Sequence, residues 1–330
     1  IERNHIMSNI HVIHGEVPEL IDRETEQLTQ KYLGNEPKDD FNYVKYNLYE
    51  TTLNTIIEEA MTLPFFSDKK IIVVQNSYIF TGEKPPKEAQ TNADSLLEFI
   101  EKYDEASLII FQVQAVKLDE RKKVVKALKK VANIKKIEQM TEQEMQKWIH
   151  QYLNQSYKEI KQDALEALIQ LTGIHYRMIK QELDKLLLFV GDRPTINKED
   201  VQTIVNRSLE QNVFLLTDYI QKGQKAQAIS LVKDLIQLKE EPIKLLALIT
   251  SNYRLYYQSK ILNQKGYSGQ QIAKTVGVHP YRVKLALNQA RKYDLDTLLT
   301  IMDVCTETDY QLKSSYMDKV LILELFIMKL

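Results

Sequence analysis

The chain alternates between two hydrophobic rhythms over its first part and then keeps to one. "IHVIHG" (10–15) is a short apolar run ending in a glycine, and "VPELIDRETEQLTQKYL" (17–33) follows with Leu20, Leu28 and Leu33 at helical spacing. "NYVKYNLY" (42–49) alternates as a strand does, and "TTLNTIIEEAMTL" (51–63) repeats apolar residues at Leu53, Ile56, Ile57, Ala60 and Met61, which is one face of a helix. "KIIVVQ" (70–75) and "SLIIFQV" (107–113) read as strands buried on both sides, with helices "DSLLEFIEKY" (94–103) and "DERKKVVKALKKVA" (119–132) between and after them. "NIKKIEQM" (133–140) closes the series as a strand. Strands that alternate with helices predict an α/β domain, a mainly parallel sheet with helices on both faces. At Thr141 the rhythm changes, because Thr141 and Glu144 have the spacing of a capping box and helical period runs from there to the end. Helices at "DALEALIQLTG", "HYRMIKQELDKLLLFVG" and "NKEDVQTIVN" are short, and those after about residue 208 are longer. The expected organisation is therefore α/β over 1–140, a small helical domain over 141–208 and a larger helical bundle over 209–330.

Composition narrows the class. Apolar residues make up 44% and charged residues 27% of 330, with 9 Gly and 8 Pro, the profile of a folded, largely helical protein with short loops. The formal net charge of −1 provides no global basic field, so contact with nucleic acid would need a local patch. Cys305 is the only cysteine, which rules out an internal disulfide and fits a reducing, cytoplasmic compartment. The 6 histidines lack metal-like spacing, and the apolar stretch "VLILELFIMKL" (320–330) is too short for a membrane span and carries Glu324 and Lys329. "IERNHI" lacks the pattern of a signal peptide and reads as an appended stretch, with Met7 as the expected native start.

A strand, a glycine and a helix at the start of a parallel sheet raise the possibility of a phosphate loop. That loop needs a second glycine, a lysine and a hydroxyl at fixed offsets, so that backbone amides, an ammonium and a magnesium ligand surround the phosphates. "HGEVPELIDRET" (14–25) has none of them at the required offsets, and Glu16, Glu19 and Asp22 would repel a triphosphate. Carboxylates such as Glu58 and Glu59 fall on different sides of a helix, and no nucleophile sits at a turn, so no catalytic residues, cofactor or metal are expected.

Three stretches stand out as candidates for binding. In "YSGQQIAKTVGVHPYRVKLALNQA" (267–290), Ile272, Ala273, Gly277, Val278, Val283 and Leu287 are spaced as in a helix-turn-helix, either a packing hairpin or a DNA reader presenting Arg282 and Lys284. "KLDERKKVVKALKKVANIKK" (117–136) is locally basic, either a solvated face or a contact for phosphate or an acidic partner. In "LPFF" (63–66), Pro64 ends the preceding helix and leaves Phe65 and Phe66 on the exit loop. Either both rings pack beneath the sheet, or at least one is exposed as an anchor for a partner, since neighbours in an extended loop point in different directions.

The order and spacing of "IHGEVPEL", "AMTLPFFSDKKIIVVQN", "ALIQLTGIHYRMIKQELDKL", "GVHPYRVKLALNQA" and "ETDYQLKSSYMDKVLILE" resemble the delta subunit of the bacterial DNA polymerase III clamp loader, in its Gram-positive form. The resemblance runs from Met7 across nearly the whole chain. It implies an AAA+-like, Rossmann-type first domain without a functional phosphate loop, a helical lid and a helical collar. It implies no ATP hydrolysis by this chain. The partners it implies are the sliding clamp (beta subunit), the gamma/tau ATPase and delta-prime subunits through the collar, and primed DNA. Leu63, Phe65 and Phe66 would plug a pocket on the clamp, with Pro64 holding the turn, and Tyr316 and, less directly, Tyr281 would stack on exposed template. Arg177 falls where active relatives sense nucleotide, and without a phosphate site it is expected to be structural. The rival readings are a helix-turn-helix DNA-binding regulator centred on 267–290 and a nucleotide hydrolase with a cryptic site near Gly15.

Overall fold

The computed structural model describes residues 9–62, 69–84, 93–102 and 107–330. The chain divides into two compact units, Ile1–Gln139 and Met140–Leu330.

The first unit runs β1 (Ile10–Gly15), α1 (Pro18–Leu33), β2 (Tyr43–Asn47), α2 (Leu53–Met61), β3 (Ile71–Gln75), α3 (Asp94–Lys102), β4 (Leu108–Val113), α4 (Lys123–Val131) and β5 (Asn133–Ile137). The five strands form one sheet in the order β2-β3-β4-β1-β5, every neighbouring pair parallel. Alternate side chains of each strand face opposite layers. Val12, Ile72, Val74, Ile109 and Phe111 pack beneath α2, α3 and α4, through Leu53, Ile56, Phe99, Val125 and Leu128. Ile13, Ile71, Val73, Leu108 and Ile110 pack beneath α1, through Ile21 and Leu33. Helices on both faces explain why β3 and β4 are continuous apolar runs, and the α/β expectation holds.

Two of the boundaries that differ from the periodic reading have a visible cause. The helix expected from Asp119 begins at Lys123, because the Asp119 carboxylate accepts the Arg121 N–H (3.1 Å) and the Asp119 N–H donates to the Phe80 carbonyl (2.8 Å). These bonds hold 119–122 in a turn outside the helix. Strand β2 stops at Asn47, whose carbonyl accepts the N–H groups of Glu50 and Thr51 (both 2.9 Å) and turns the chain toward α2.

The second unit begins with α5 (Glu142–Asn154), β6 (Glu159–Ile160), α6 (Gln162–Thr172), α7 (Tyr176–Val190), β7 (Thr195–Ile196) and α8 (Lys198–Ile204). It continues with α9 (Leu209–Gln221), α10 (Lys225–Gln237), α11 (Pro242–Gln264), α12 (Gly269–Val276), α13 (Pro280–Ala290), α14 (Leu295–Ser314) and α15 (Lys319–Lys329). The capping box that opens α5 is formed: the Thr141 side chain accepts the Glu144 N–H and the Glu144 carboxylate accepts the Thr141 N–H. The expectation of helical period throughout is corrected at β6 and β7, which pair in parallel. Two residues per strand are too few to write an alternating pattern into a sequence. Trp148, Ile149, Leu168, Leu183 and Leu186 form one apolar cluster of this unit. A larger cluster surrounds α11, whose Leu245, Ile249, Tyr253 and Tyr256 lie on one turn-by-turn line. Among the described residues, no helix is long and apolar enough to cross a membrane.

Candidate interaction surfaces

The end of β1 is where a phosphate loop would lie. Gly15 pairs with Ile137 of β5, and a Cβ on Gly15 would meet the Ile137 carbonyl oxygen at 2.7 Å. The glycine therefore serves the close approach of two strands. Pro18 opens α1 and removes one amide from its first turn, while Glu19 places a carboxylate there. Glu16 accepts a hydrogen bond from Gln139 Nε2 at 2.7 Å. Anionic side chains thus occupy the helix end that in a nucleotide site receives phosphate.

Leu63, Pro64, Phe65 and Phe66 lie outside the described residues, and what the structure describes is the stem on either side of them. Thr52 caps α2 by accepting the Thr55 N–H, and Leu53, Ile56 and Ala60 press the helix onto the sheet. At the other end of α2, Lys70 is 4% exposed. Its ammonium donates to the backbone carbonyls of Glu59 (2.9 Å) and Thr62 (3.2 Å) and forms an ion pair with the Glu59 carboxylate. A buried cation on the last carbonyls of a helix fills acceptor capacity that the helix leaves unused and complements its dipole. The Lys70 carbonyl in turn accepts the Leu108 N–H (2.8 Å), and the Ser107 hydroxyl donates to the Ala60 carbonyl (3.2 Å). The end of α2 and the start of β3 are thereby joined in one buried polar knot. From the sequence alone "DKK" (68–70) reads as a charged turn, which misses this role; the available signal is a lysine directly before a fully buried strand, where an ammonium must find oxygen partners.

Tyr316 stands on the turn between α14 and α15 with its ring fully exposed, 108% of the reference area, and Met317 beside it is half exposed. Ser315 fixes the turn by accepting the Met317 N–H (3.0 Å), and Asp318 caps α15. Tyr281 is different. Only 8% of it is exposed, its ring belongs to the apolar cluster of Trp148 and Leu168, and its hydroxyl donates to the Ile169 carbonyl (3.4 Å). Burial pushes its phenol up to about 12. The expectation that Tyr281 stacks on a nucleobase is therefore corrected: the ring is engaged within the second unit by the helices of residues 141–205.

The 267–290 segment does form two helices around a turn. Gly277 supplies the left-handed residue (φ +77°) that ends α12, and Ile272, Ala273 and Val283 make the contact between the helices. The second helix is used inward. Tyr281, Val283, Ala286 and Ala290 are buried, Lys284 pairs with Glu142 (2.8 Å), and Arg282 lies 4.0 Å from the Glu210 carboxylate. His279 accepts the Tyr281 N–H at Nδ1 (3.1 Å) and donates from Nε2 to the Met140 carbonyl (2.9 Å), which fixes its neutral tautomer. A helix whose first turn is tied down in this way is a packing element of the second unit and cannot enter a groove with those residues.

In the 117–136 segment, Lys129, Lys135 and Lys136 pair with Glu120, Glu24 and Glu138. Arg121 pairs with Asp119 (2.9 Å) and Lys122 caps the Ile79 carbonyl (3.0 Å), so five of the nine basic residues of the run are engaged within the first unit. Arg177 is exposed on α7.

Comparison with known proteins covers all of these elements. The profile described as "DNA polymerase III, delta subunit" matches residues 11–138, and the profile for the C-terminal domain of the same subunit matches residues 210–330. A profile described as a middle domain matches residues 141–203. The chain is 35% identical over 321 residues to the DNA polymerase III subunit delta of Bacillus subtilis, covering 97% of this chain and 92% of that one. It is 23% identical to a probable DNA polymerase III subunit delta of Aquifex aeolicus, over 88% and 83% of the two chains. Its fold is similar to the solved structure of the Bacillus subtilis DNA clamp loader delta protein, with a TM-score of 0.65, 34% identity and coverage of 98% and 95%.

Proposed function

The chain belongs to the delta subunit family of DNA polymerase III, and from that membership we propose that it is the clamp-opening subunit of a clamp loader, gripping the sliding clamp through Leu63, Phe65 and Phe66 with Pro64 holding the turn. The observation that carries this reading is the buried Lys70 knot. A protruding plug transmits force to a partner only if its two ends are immobile, and Lys70 ties the exit of α2 to the entry of β3. Each apolar side chain of the plug, once buried in a partner, contributes about 1.5–3 kcal/mol, so a few of them outweigh the cost of association.

The work is done by differential binding. A surface that fits the opened clamp better than the closed one shifts the ring toward the open form, with no bond made or broken by this chain. The acidic helix end beyond Gly15 fits a subunit that leaves ATP hydrolysis to its partners. Within the second unit, residues 141–208 act as a lid and 209–330 as a collar that joins the ATPase and delta-prime subunits. Tyr316 stacks on unpaired template near the primer end, an interaction that tolerates any base. One pair of variants separates the two surfaces. Phe65→Ala with Phe66→Ala abolishes capture of purified clamp and leaves binding to primed DNA by the assembled loader intact. Tyr316→Ala does the reverse, lowering primed-DNA binding about tenfold. Undiminished clamp capture by the double variant refutes the plug, and undiminished DNA binding by the tyrosine variant refutes the stacking role.

A further inference from the structure

Two adjoining hollows on the second unit share Gln170 and Arg207 and together make one groove with two chemically distinct halves. The first, about 300 Å³, is bounded by α6, α9 and α13, and its floor is Phe214, Leu215, Tyr281 and Leu285. The second, about 580 Å³, lies between α6 and α8 and adds Lys198 and Gln202, with no carboxylate among its lining residues. Arg207 and Lys198 are exposed and form no ion pair with any described residue. Most cations nearby are spent: Arg282 faces Glu210, Lys284 holds Glu142 and Arg193 holds Asp200.

The one acid on the wall of the apolar half is Asp218, and it is saturated. Lys222 (2.6 Å), Lys292 (3.0 Å) and Gln289 Nε2 (3.2 Å) all donate to it. Burial works against its charge, yet these donors hold it at about 2, so it is a fixed carboxylate at the end of the groove away from Lys198. The groove thus carries no uncompensated negative charge: two lysines cover the carboxylate beside the apolar well and free cations stand at the far end, so an amphiphilic anion can lie along it.

We propose that this groove binds the acidic tail of a partner protein, a peptide segment whose terminal apolar side chain fills the well over Phe214 and Leu285 while its carboxylates lie on Arg207 and Lys198. A well of this size holds one large side chain, and the carboxamides of Gln170, Gln202 and Gln211 offer donors and acceptors suited to a peptide backbone. A peptide with only acids would lack the well contact, and one with only apolar residues would leave the cations unmatched. The site is separate from the clamp plug and from Tyr316, and stands whether or not those readings hold.

The test uses the full chain and a fluorescein-labelled hexapeptide of aspartates ending in leucine and phenylalanine, followed by anisotropy at low salt. The expected result is saturable binding with Kd of about 10–100 μM that weakens as salt is raised. Arg207→Glu reduces the affinity at least about tenfold by reversing the charge the tail requires. Asn288→Trp, at an exposed position on the rim of the well, reduces it by a similar factor of about ten by filling the space. Melting curves matching the parent establish that both variants are folded. No anisotropy change up to millimolar peptide overturns the proposal, as does binding that survives either substitution. Equal binding of a peptide of aspartates alone, or displacement by ATP at equal concentration, overturns it as well, because the site would then read charge or nucleotide and not a tail.

Discussion

Lys70 concentrates the problem of the molecule in one side chain. A lysine with 4% exposure is tolerated only because three oxygens receive its ammonium, and those oxygens lie at the end of the helix that leads toward the proposed plug. Lys70→Met keeps the aliphatic stem and removes the donors, leaving the Glu59 carbonyl with the Thr62 N–H alone and taking the ammonium from the Thr62 carbonyl and the Glu59 carboxylate. The expected cost is about 1–3 kcal/mol of stability, measured by chemical denaturation. Clamp capture should weaken in the same variant although Leu63, Phe65 and Phe66 are unchanged; full capture with a loosened stem would separate the plug from its root. Tyr281 and Tyr316 make the complementary point. The two tyrosines are indistinguishable as letters, yet one is buried among the helices of the second unit and the other stands wholly in solvent. What distinguishes them is the context of their turns: Tyr281 follows a proline inside an amphipathic helix, and Tyr316 falls in the polar run "KSSYMD".

At the scale of elements, α13 fastens the short helices of residues 141–205 to the bundle that follows them. Its cap residue His279 reaches the Met140 carbonyl, Lys284 reaches Glu142 and Tyr281 enters the cluster of Trp148. Burial depresses the pKa of His279, with the nearby His175 adding to the effect and with the bond to Met140 and the charge of Glu142 opposing it. Arg282 and Glu210 lie on the adjacent face. Because the folded value is lower than the unfolded one, folding favours the neutral ring. That contribution is complete above the ordinary histidine range near 6.5 and is lost as pH falls through the folded value. Protonation also puts a hydrogen on Nδ1 where it must accept the Tyr281 N–H. Thermal melts of the parent should therefore lose stability between about pH 7 and 5 more steeply than those of His279→Gln. Parallel pH profiles would remove the histidine from the clasp. The helical periodicity of 280–290 is plain from the sequence, but its use as a clasp is not, since a helix-turn-helix pattern records only which residues pack between its two helices.

At the scale of the whole molecule, the division at Gln139 and Met140 predicts a separation of tasks. A chain ending at Gln139 carries the sheet, the Lys70 knot and the proposed plug, and should retain clamp capture; one beginning at Met140 should retain peptide binding at the proposed groove and bind sister subunits without capturing clamp. Capture of clamp by the second piece alone would overturn the assignment of the plug to the first. The alternating rhythm of the first 140 residues and the purely helical one after them were enough to give the α/β class, the parallel sheet and the lack of a phosphate loop. These follow from local properties, since period and backbone chemistry are written residue by residue. The order β2-β3-β4-β1-β5, the small β6–β7 pair, the oxygens around Lys70 and the inward turn of α13 were decided only in three dimensions. Each joins residues far apart in the chain, and a buried polar group or a two-residue strand has no periodic trace; its partners exist only once the chain has closed on itself.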